Sequence, residues 1–285
     1  MAKIYEALKR AEQERKRKAG GGAPDDDVSG GGSLDPALQA PPSAKPGSGG
    51  RSWKWRSSAS APSGDSYAEY NKCRIAMLRP ESYVAEQFRT LRTRLDTLAS
   101  QRPLKSIAIM SPNAADGKTT AAVNLAAVTA MGVDQRVALV DCNLRDPSVT
   151  RVLGLEPQTG LAEILVGEAT IEDALMRIED PGFDVIPVRA IPANPSELIS
   201  SEAMRHFMES VIQRYDRVFV DTPPALGLPD ARAICELCDG MLVVVRAGET
   251  PVEDVQFSLD LVDRRRVLGV ILNDDESGGS TAELV

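Results

Sequence analysis

The amino-acid sequence predicts an α/β fold in which helices cover both faces of a doubly wound, mostly parallel sheet. Two observations support this prediction. Short runs rich in valine and isoleucine alternate with helical patterns from about residue 81 to residue 273, as expected for parallel strands buried on both faces. Between the first of these runs and the next helical pattern lies the loop Ser111–Thr120. Right-handed crossovers then place the strand ends at one edge of the sheet, beside this loop.

The elements follow from the apolar spacing along the chain. Strands are predicted at 106–110, 136–141, 184–188, 217–221, 241–245 and 267–272. Helices are predicted at 81–100, 119–131, 201–214, 230–237 and 252–264. In the first of these helices the apolar face consists of Tyr83, Val84, Phe88, Leu91, Leu95 and Leu98.

The loop Ser111–Thr120 has the features of a phosphate-binding loop. The expected phosphate ligands are the backbone N–H groups at the start of the following helix, in Ala115, Asp116, Gly117, Lys118, Thr119 and Thr120. Lys118 reaches the terminal phosphate charge, and the Thr119 hydroxyl is a ligand for Mg²⁺. The general pattern G-x-x-x-x-G-K-[ST] has glycine where this chain has Pro112. The prediction therefore depends on the strand before the loop, the helix after it and partner motifs downstream.

Two aspartates end apolar strands after this loop. Asp141 follows Val137-Ala138-Leu139-Val140, and Asp221 precedes Thr222-Pro223-Pro224. Carboxylates at this edge hold Mg²⁺, and the metal offsets charge on the β- and γ-phosphates. One such aspartate is often only a helix cap, but two in this order predict nucleotide binding with Thr119, Asp141 and Asp221 at the metal.

Composition and charge limit the other functions of the chain. It has 285 residues, 42% of them apolar, and a formal net charge of −8. This balance argues against nucleic-acid binding, which needs surplus lysine and arginine on one face. Residues 19–66 contain glycine and proline runs of low hydrophobicity, which predict a disordered linker.

The first 18 residues have the opposite charge. Seven lysines and arginines against three glutamates give 7 − 3 = +4, and Ile4, Tyr5, Leu8 and Ala11 have helical spacing. The segment is predicted to be a basic amphipathic helix that either docks on a partner or an anionic membrane, or is solvated without a binding role. No run is apolar enough to span a bilayer, and a cytoplasmic location is expected.

The four cysteines fit a reducing compartment. Cys235 and Cys238 have C-x-x-C spacing, but they lie in an apolar helical segment without a second ligand pair. Buried thiols behave there as small apolar groups, so a core role is favoured over a metal or redox site.

Several motifs together resemble the bacterial tyrosine kinases, P-loop kinases that work with regulators of polysaccharide chain length. Besides the loop and Asp221-Thr222-Pro223-Pro224, the similar segments are Val140-Asp141-Cys142-Asn143-Leu144-Arg145, Asn194-Pro195-Ser196-Glu197-Leu198, Asp239-Gly240 and Leu268-Gly269-Val270-Ile271-Leu272-Asn273. Partition and division-site ATPases have a signature lysine at the position of Asn113. A soluble cargo-positioning ATPase is therefore disfavoured.

The resemblance implies an ATP-dependent protein tyrosine autokinase of exopolysaccharide or capsule synthesis and export. Its implied cofactors are ATP and Mg²⁺, with Lys118, Asp141 and Asp221 catalytic and Asn273 near the adenine. Its implied partner is a transmembrane chain-length determinant, through which the protein is associated with the membrane. The predicted domains are a helix at 1–18, the linker at 19–66, a P-loop kinase-like domain at 67–273 and a flexible tail at 274–285.

The resemblance also implies assembly into a ring. Glu86, Arg89 and Arg92 match an E-x-x-R-x-x-R motif with which the family packs subunits, and their spacing puts them along one helical face. Taken alone, the motif would be read as a solvated charged stripe.

Two departures from the family leave an alternative open. Asn143 stands where the family has a second aspartate, and an amide cannot accept a proton as a base. The tail 274–285 contains no tyrosine, so Tyr67 and Tyr70 are candidate phosphoacceptors instead. The alternative is a catalytically weak or inactive ATP-binding regulator of a membrane chain-length determinant.

Overall fold

The computed structural model describes residues 55–57, 71, 73–132, 135–274 and 282–284. Its strands are β1 Trp55–Ser57, β2 Ser106–Met110, β3 Val137–Asp141, β4 Met176–Ile178, β5 Phe183–Ile186, β6 Ala190–Pro192, β7 Arg217–Asp221, β8 Gly240–Arg246, β9 Val267–Asn273 and β10 Ala282–Leu284. Its helices are α1 Ile75–Leu78, α2 Tyr83–Ala99, α3 Lys118–Ala130, α4 Val149–Leu153, α5 Leu161–Leu165, α6 Ile171–Ala174, α7 Pro195–Ile199, α8 Glu202–Arg214, α9 Asp230–Glu236 and α10 Val252–Asp260, followed by a 3₁₀ turn at Arg264–Arg266.

An eight-stranded sheet forms the centre of the fold, in the order β10-β9-β8-β2-β7-β3-β5-β4. The six strands from β9 to β5 are parallel, and the two edge strands β10 and β4 are antiparallel to their neighbours. The strand that leads into the phosphate loop, β2, lies between β7 and β8. The predicted doubly wound, mostly parallel α/β fold is confirmed.

Alternate residues of β2 face two separate cores. Ile107 and Ile109 join the core formed with α2, α3 and α4, whereas Ala108 and Met110 join the core formed mainly with α5, α8, α9 and α10. All of β2 is buried. This two-sided burial explains why the strand is a continuous apolar run rather than an alternating one.

Helix α3 is buried along almost its whole length, beneath α2. Its alanine-rich sequence lets both the sheet and α2 approach closely. Asn124 is fully buried and satisfied: its Oδ1 accepts from the Ala76 N–H at 2.8 Å, and its Nδ2 donates to the carbonyls of Cys73 and Thr120. It thereby fixes α1 against the helix that begins at Lys118.

The structure adds elements that the periodicity did not predict. They are the short helices α1 and α4 to α7 and the strands β1, β4, β6 and β10, each of three to five residues. Helix α10 ends at Asp260 rather than at residue 264, because the chain turns into the 3₁₀ segment. Strand β1 lies in the predicted linker and pairs with β6. Strand β10 lies in the predicted tail and pairs with β9. The helix predicted at 1–18 lies outside the described residues.

Asp239 anchors the beginning of the loop-bearing strand. Its Oδ2 accepts hydrogen bonds from the backbone N–H of Lys105 and of Ser106, and from the Ser106 hydroxyl, at 2.8 to 3.0 Å. The Asp239 N–H in turn donates to Ser106 Oγ at 2.9 Å. This reciprocal contact fixes β2 against β8 at the end of the sheet opposite to the phosphate loop.

We therefore predict that Asp239→Ala lowers the free energy of unfolding by about 2–4 kcal/mol, since three donors lose an acceptor. Urea denaturation measures the change. The control is Asp260→Ala, which removes an exposed carboxylate paired with Arg264 one turn away and should cost less than about 1 kcal/mol. Equal effects of the two substitutions would contradict the assigned role.

Candidate active site

The phosphate loop connects β2 to α3 and needs two unusual backbone conformations. Gly117 has φ +106° and Ala115 has φ +64°. A side chain at Gly117 is excluded for a second reason, because a Cβ there would lie 2.2 Å from Nδ2 of Asn273. That amide donates to the Asp116 carbonyl at 3.0 Å, so the end of β9 packs directly on the loop.

Pro112 stands where the general pattern has glycine. Backbone hydrogen bonds from the segment after β7 fix the chain at this position. The Ser111 carbonyl accepts from the Ala225 N–H at 2.9 Å, and the Pro112 carbonyl accepts from the Leu226 N–H at 3.1 Å. Both donors lie in the segment that follows Asp221-Thr222-Pro223-Pro224. The loop thus keeps a defined path without the glycine.

Lys118 is buried at the N-terminus of α3. Its Nζ donates to Ser111 Oγ at 3.0 Å and to the Asn113 carbonyl at 3.3 Å. Burial lowers the pKa of this ammonium, while the charges of Asp221, Asp116 and Asp146 act in the opposite direction. The Lys118 ammonium therefore lies inside the loop, with aspartate side chains nearby.

Thr119 connects the loop to the strand-terminal aspartate. Its hydroxyl donates to Asp221 Oδ2 at 2.5 Å and lies 2.7 Å from Ser148 Oγ. Because the only Thr119 proton points to Asp221, Ser148 is the donor in the second contact. Ser148 was not among the predicted site residues, although a serine directly before an apolar helical segment is an N-cap signal.

Asp221 retains an unused acceptor. Its Oδ1 is buried and has no hydrogen-bond partner among the described residues. Burial is the main reason that the pKa of Asp221 is raised, to about 6, although the Thr119 hydrogen bond and the Lys118 charge lower it. An orphan carboxylate oxygen beside a threonine hydroxyl fits a divalent cation and its water ligands.

Asp141 lies opposite Asp221, since the two residues are register partners on adjacent parallel strands. Its oxygens accept backbone N–H groups of Asn143 at 3.0 Å and Val149 at 3.2 Å. Burial and the charge of Asp221 raise the pKa of Asp141 well above its usual value. In this structure the carboxylate caps the turn after β3.

Asn143 is used within the same turn. Its Nδ2 donates to the Asp146 carbonyl at 2.8 Å, and its Oδ1 accepts from the Asp146 N–H at 3.2 Å. The amide can make both contacts at once, whereas a carboxylate could only accept. The residue that departs from the family pattern therefore stabilises the local conformation of the loop that carries Asp141.

A polar network ties this loop to two other segments. Arg145 donates from Nε to Asp230 Oδ2 at 2.8 Å and from its terminal nitrogen to Ser196 Oγ at 2.7 Å, and Ser196 donates to Asp230 Oδ1 at 2.5 Å. The Asn194–Leu198 segment and the start of α9 are thereby joined to the turn after β3. These segments are far apart in the sequence, and no pattern in it predicts their contact.

The remaining predicted phosphate ligands lie in the same loop. Thr120 is half-buried in the first turn of α3, and its carbonyl accepts from Asn124. The structure thus brings together Lys118, Thr119, Asp141, Asp221 and Asn273. Among the described residues no cluster of three or more histidine, cysteine or acidic side chains forms a separate metal site, and Cys142, Cys235 and Cys238 are buried free thiols.

The predicted oligomerisation residues lie on α2, away from this cluster. Arg89 forms an ion pair with Glu86 at 2.7 Å and donates to the Pro80 carbonyl, and Arg92 donates to the Val128 carbonyl at 2.7 Å. Glu86 is exposed. Both arginines therefore have partners within their own subunit.

Comparison with known proteins identifies the family. A family model described as an AAA domain matches residues 104–264. Over 201 residues the chain is 35% identical to the tyrosine-protein kinase YwqD of Bacillus subtilis. The matched region covers 70% of this chain and 84% of YwqD. The chain belongs to the bacterial tyrosine kinase family. The predicted family is confirmed.

Two further comparisons concern a longer relative and a solved kinase domain. The chain is 34% identical to the succinoglycan biosynthesis transport protein ExoP of Rhizobium meliloti, over 70% of this chain but only 26% of that protein. The solved kinase domain of Escherichia coli tyrosine kinase ETK is 31% identical, with a TM-score of 0.68 over 74% of this chain and 83% of that domain. The similarity therefore covers the kinase domain of the family.

The charge on Asp221 leads to a stability prediction. The folded-state pKa of about 6 lies above the unfolded value of about 3.9, so the folded protein holds the proton more tightly. The resulting stability is present below pH 4 and lost as the pH rises through 6. Without nucleotide, Asp221→Asn should raise the free energy of unfolding at pH 7 by roughly 3 kcal/mol.

Thermal unfolding of both proteins at pH 4 and pH 7 measures this effect. The difference in stability between the two proteins should be large at pH 7. It should be small at pH 4, because Asp221 of the wild type is protonated at that pH. A variant that is less stable than the wild type at pH 7 would show that the buried carboxylate is not an energetic cost.

Proposed function

We propose that the chain is an ATP-dependent protein tyrosine kinase that acts in exopolysaccharide or capsule synthesis and export. The observation that supports the reaction is the orphan Oδ1 of Asp221 beside the Thr119 hydroxyl, next to the buried Lys118. These groups suit Mg²⁺ and a polyphosphate. The named activities of the relatives supply the substrate class, a protein tyrosine.

In this proposal each residue has a separate task. Lys118 exchanges its internal acceptors, Ser111 Oγ and the Asn113 carbonyl, for phosphate oxygens. Thr119 and Asp221 hold Mg²⁺, with Asp141 facing the same position, and the bound metal supplies charge neutralisation at the phosphates. Gly117 and the backbone N–H groups of residues 115–120 bind phosphate oxygens at the start of α3.

Phosphoryl transfer depends mainly on the position of the reacting groups and on charge neutralisation. For this reason, Asn143 in place of a second carboxylate does not exclude transferase activity. Its amide keeps the turn after β3 closed, which holds Asp141 in place without a second carboxylate. The regulator without transferase activity, considered on the sequence alone, gains no support from any contact described above. We therefore retain the kinase as the proposed function.

The proposed partners follow from the relatives and from charge. ExoP is named as a transport protein, and we propose that this chain works with a transmembrane chain-length determinant, which brings it to the membrane. No helix among the described residues is long and apolar enough to cross a membrane. We also propose that the exposed Glu86, with Arg89 and Arg92, contributes to packing in a homo-oligomer.

The first test is Lys118→Met. Labelled-ATP assays should show phosphotransfer reduced at least a hundredfold, because the terminal phosphate loses a preorganised cation. The matched control is Lys105→Met, an exposed lysine at the other end of β2, which should leave the rate unchanged. If the Lys118 variant still formed phosphotyrosine, the proposed role of Lys118 in phosphotransfer would be wrong.

The acceptor requires its own test. Tyr67 and Tyr70 lie outside the described residues, and we propose them as sites of autophosphorylation because the tail 274–285 has no tyrosine. Mass spectrometry after incubation with ATP and Mg²⁺ should find phosphate on one or both, and the double variant Tyr67→Phe, Tyr70→Phe should lose it. Phosphate on neither residue in an active enzyme would exclude them.

A further inference from the structure

The phosphate loop contains a buried carboxylate that the proposed chemistry does not use. Asp116 is only 4% exposed. Its Oδ2 accepts the backbone N–H of Asn113 at 2.8 Å, and its Oδ1 accepts the hydroxyl of Thr250 at 2.8 Å. One contact closes the loop on itself, and the other leaves the loop for a distant part of the chain.

Thr250 lies in the connection between β8 and α10. Its Oγ1 accepts the backbone N–H of Arg246 at 3.0 Å, and its single proton is directed to Asp116. A second contact runs in parallel, since Asn113 Nδ2 donates to Asp254 Oδ2 in the first turn of α10 at 2.9 Å. Two side-chain hydrogen bonds thus attach the phosphate loop to the β8–α10 connection and to the first turn of α10.

The charge of Asp116 is unfavourable for an anion bound to the same loop. A carboxylate close to a polyphosphate repels it, most strongly where water is excluded. Burying the carboxylate has a further cost unless its oxygens are hydrogen-bonded. The favourable contribution of this side chain is therefore geometric, through its bonds to Asn113 and Thr250.

We propose that Asp116 and Thr250 are positioning residues for nucleotide binding. Their hydrogen bond holds the phosphate loop against the β8–α10 connection, and so keeps the loop N–H groups and Lys118 arranged for a triphosphate. This inference rests on the proposed use of ATP. It concerns the side chains of Asp116 in the loop and Thr250 in the β8–α10 connection, neither of which has a task in the proposed chemistry.

Three variants separate position from charge. Thr250→Val removes the hydroxyl at nearly constant volume and charge, and Thr250→Ser retains the hydroxyl. Asp116→Asn keeps the shape but can accept only one of the two bonds. If the carboxylate acted only through its charge, Asp116→Asn would bind ATP more tightly, whereas loss of positioning makes binding weaker.

Calorimetric titration with Mg-ATP measures the affinities. Thr250→Val should bind about tenfold more weakly, and Asp116→Asn at least threefold more weakly, while Thr250→Ser stays within about twofold of the wild type. The matched control is Ser201→Ala, which removes the N-cap of α8. It should lower the unfolding temperature without changing ATP affinity.

Hydrogen exchange of the nucleotide-free protein gives a second measurement that does not depend on ATP. Amides of residues 111–120 should exchange faster in Thr250→Val and Asp116→Asn than in the wild type, Thr250→Ser and Ser201→Ala. Unchanged exchange in Thr250→Val, or tighter ATP binding by Asp116→Asn, would overturn the proposal. If the wild type bound no ATP, the proposed function would be wrong. The exchange data would still show whether the Asp116–Thr250 hydrogen bond holds the loop in place.

Discussion

The site depends on the parallel register between β3 and β7, which sets Asp141 opposite Asp221 in a buried layer. Two carboxylates in such a position repel each other and lose their hydration, and each raises the energetic cost of the other. The neighbouring groups offset this cost only in part. Thr119 donates to one oxygen of Asp221, and backbone N–H groups donate to Asp141. The arrangement is favourable for a cation and unfavourable without one, which is the kind of compromise between stability and function found at active sites.

The main layers of the fold could be predicted from the sequence because buried parallel strands are continuous apolar runs and the helices between them show a clear 3.6-residue period. Strands β2 and β7 begin and end at the predicted residues. The short elements were missed for the opposite reason. Segments such as α7 and β6 contain three to five residues, too few to show a period, and their conformation follows from tertiary contacts. Trp55–Ser57 forms a strand by pairing with β6, which no local pattern indicates.

For the site, the residues with a chemical role could be recognised from their spacing, and those that hold them could not. Lys118, Thr119 and Asp221 belong to known spacings that reflect phosphate and metal chemistry. Thr250 and Asp230 are ordinary residues in sequence, and only the fold brings them to Asp116 and Arg145. Asn143 shows a related limit. The sequence identifies a missing carboxylate, but only the structure shows that the amide closes the turn with Asp146.

The contact between Gly117 and Asn273 also bears on the order in which the protein acquires its site during synthesis. The loop is made early, yet the residue that packs on it lies 157 positions after Asp116. Contacts of such sequence separation form late, because a long chain segment must first be ordered. A ribosome-bound chain that has not yet exposed β9 therefore lacks the finished loop. The contact of Asn273 with the loop exists only once the last parallel strand has joined the sheet, so the loop reaches the geometry described here when β9 is in place.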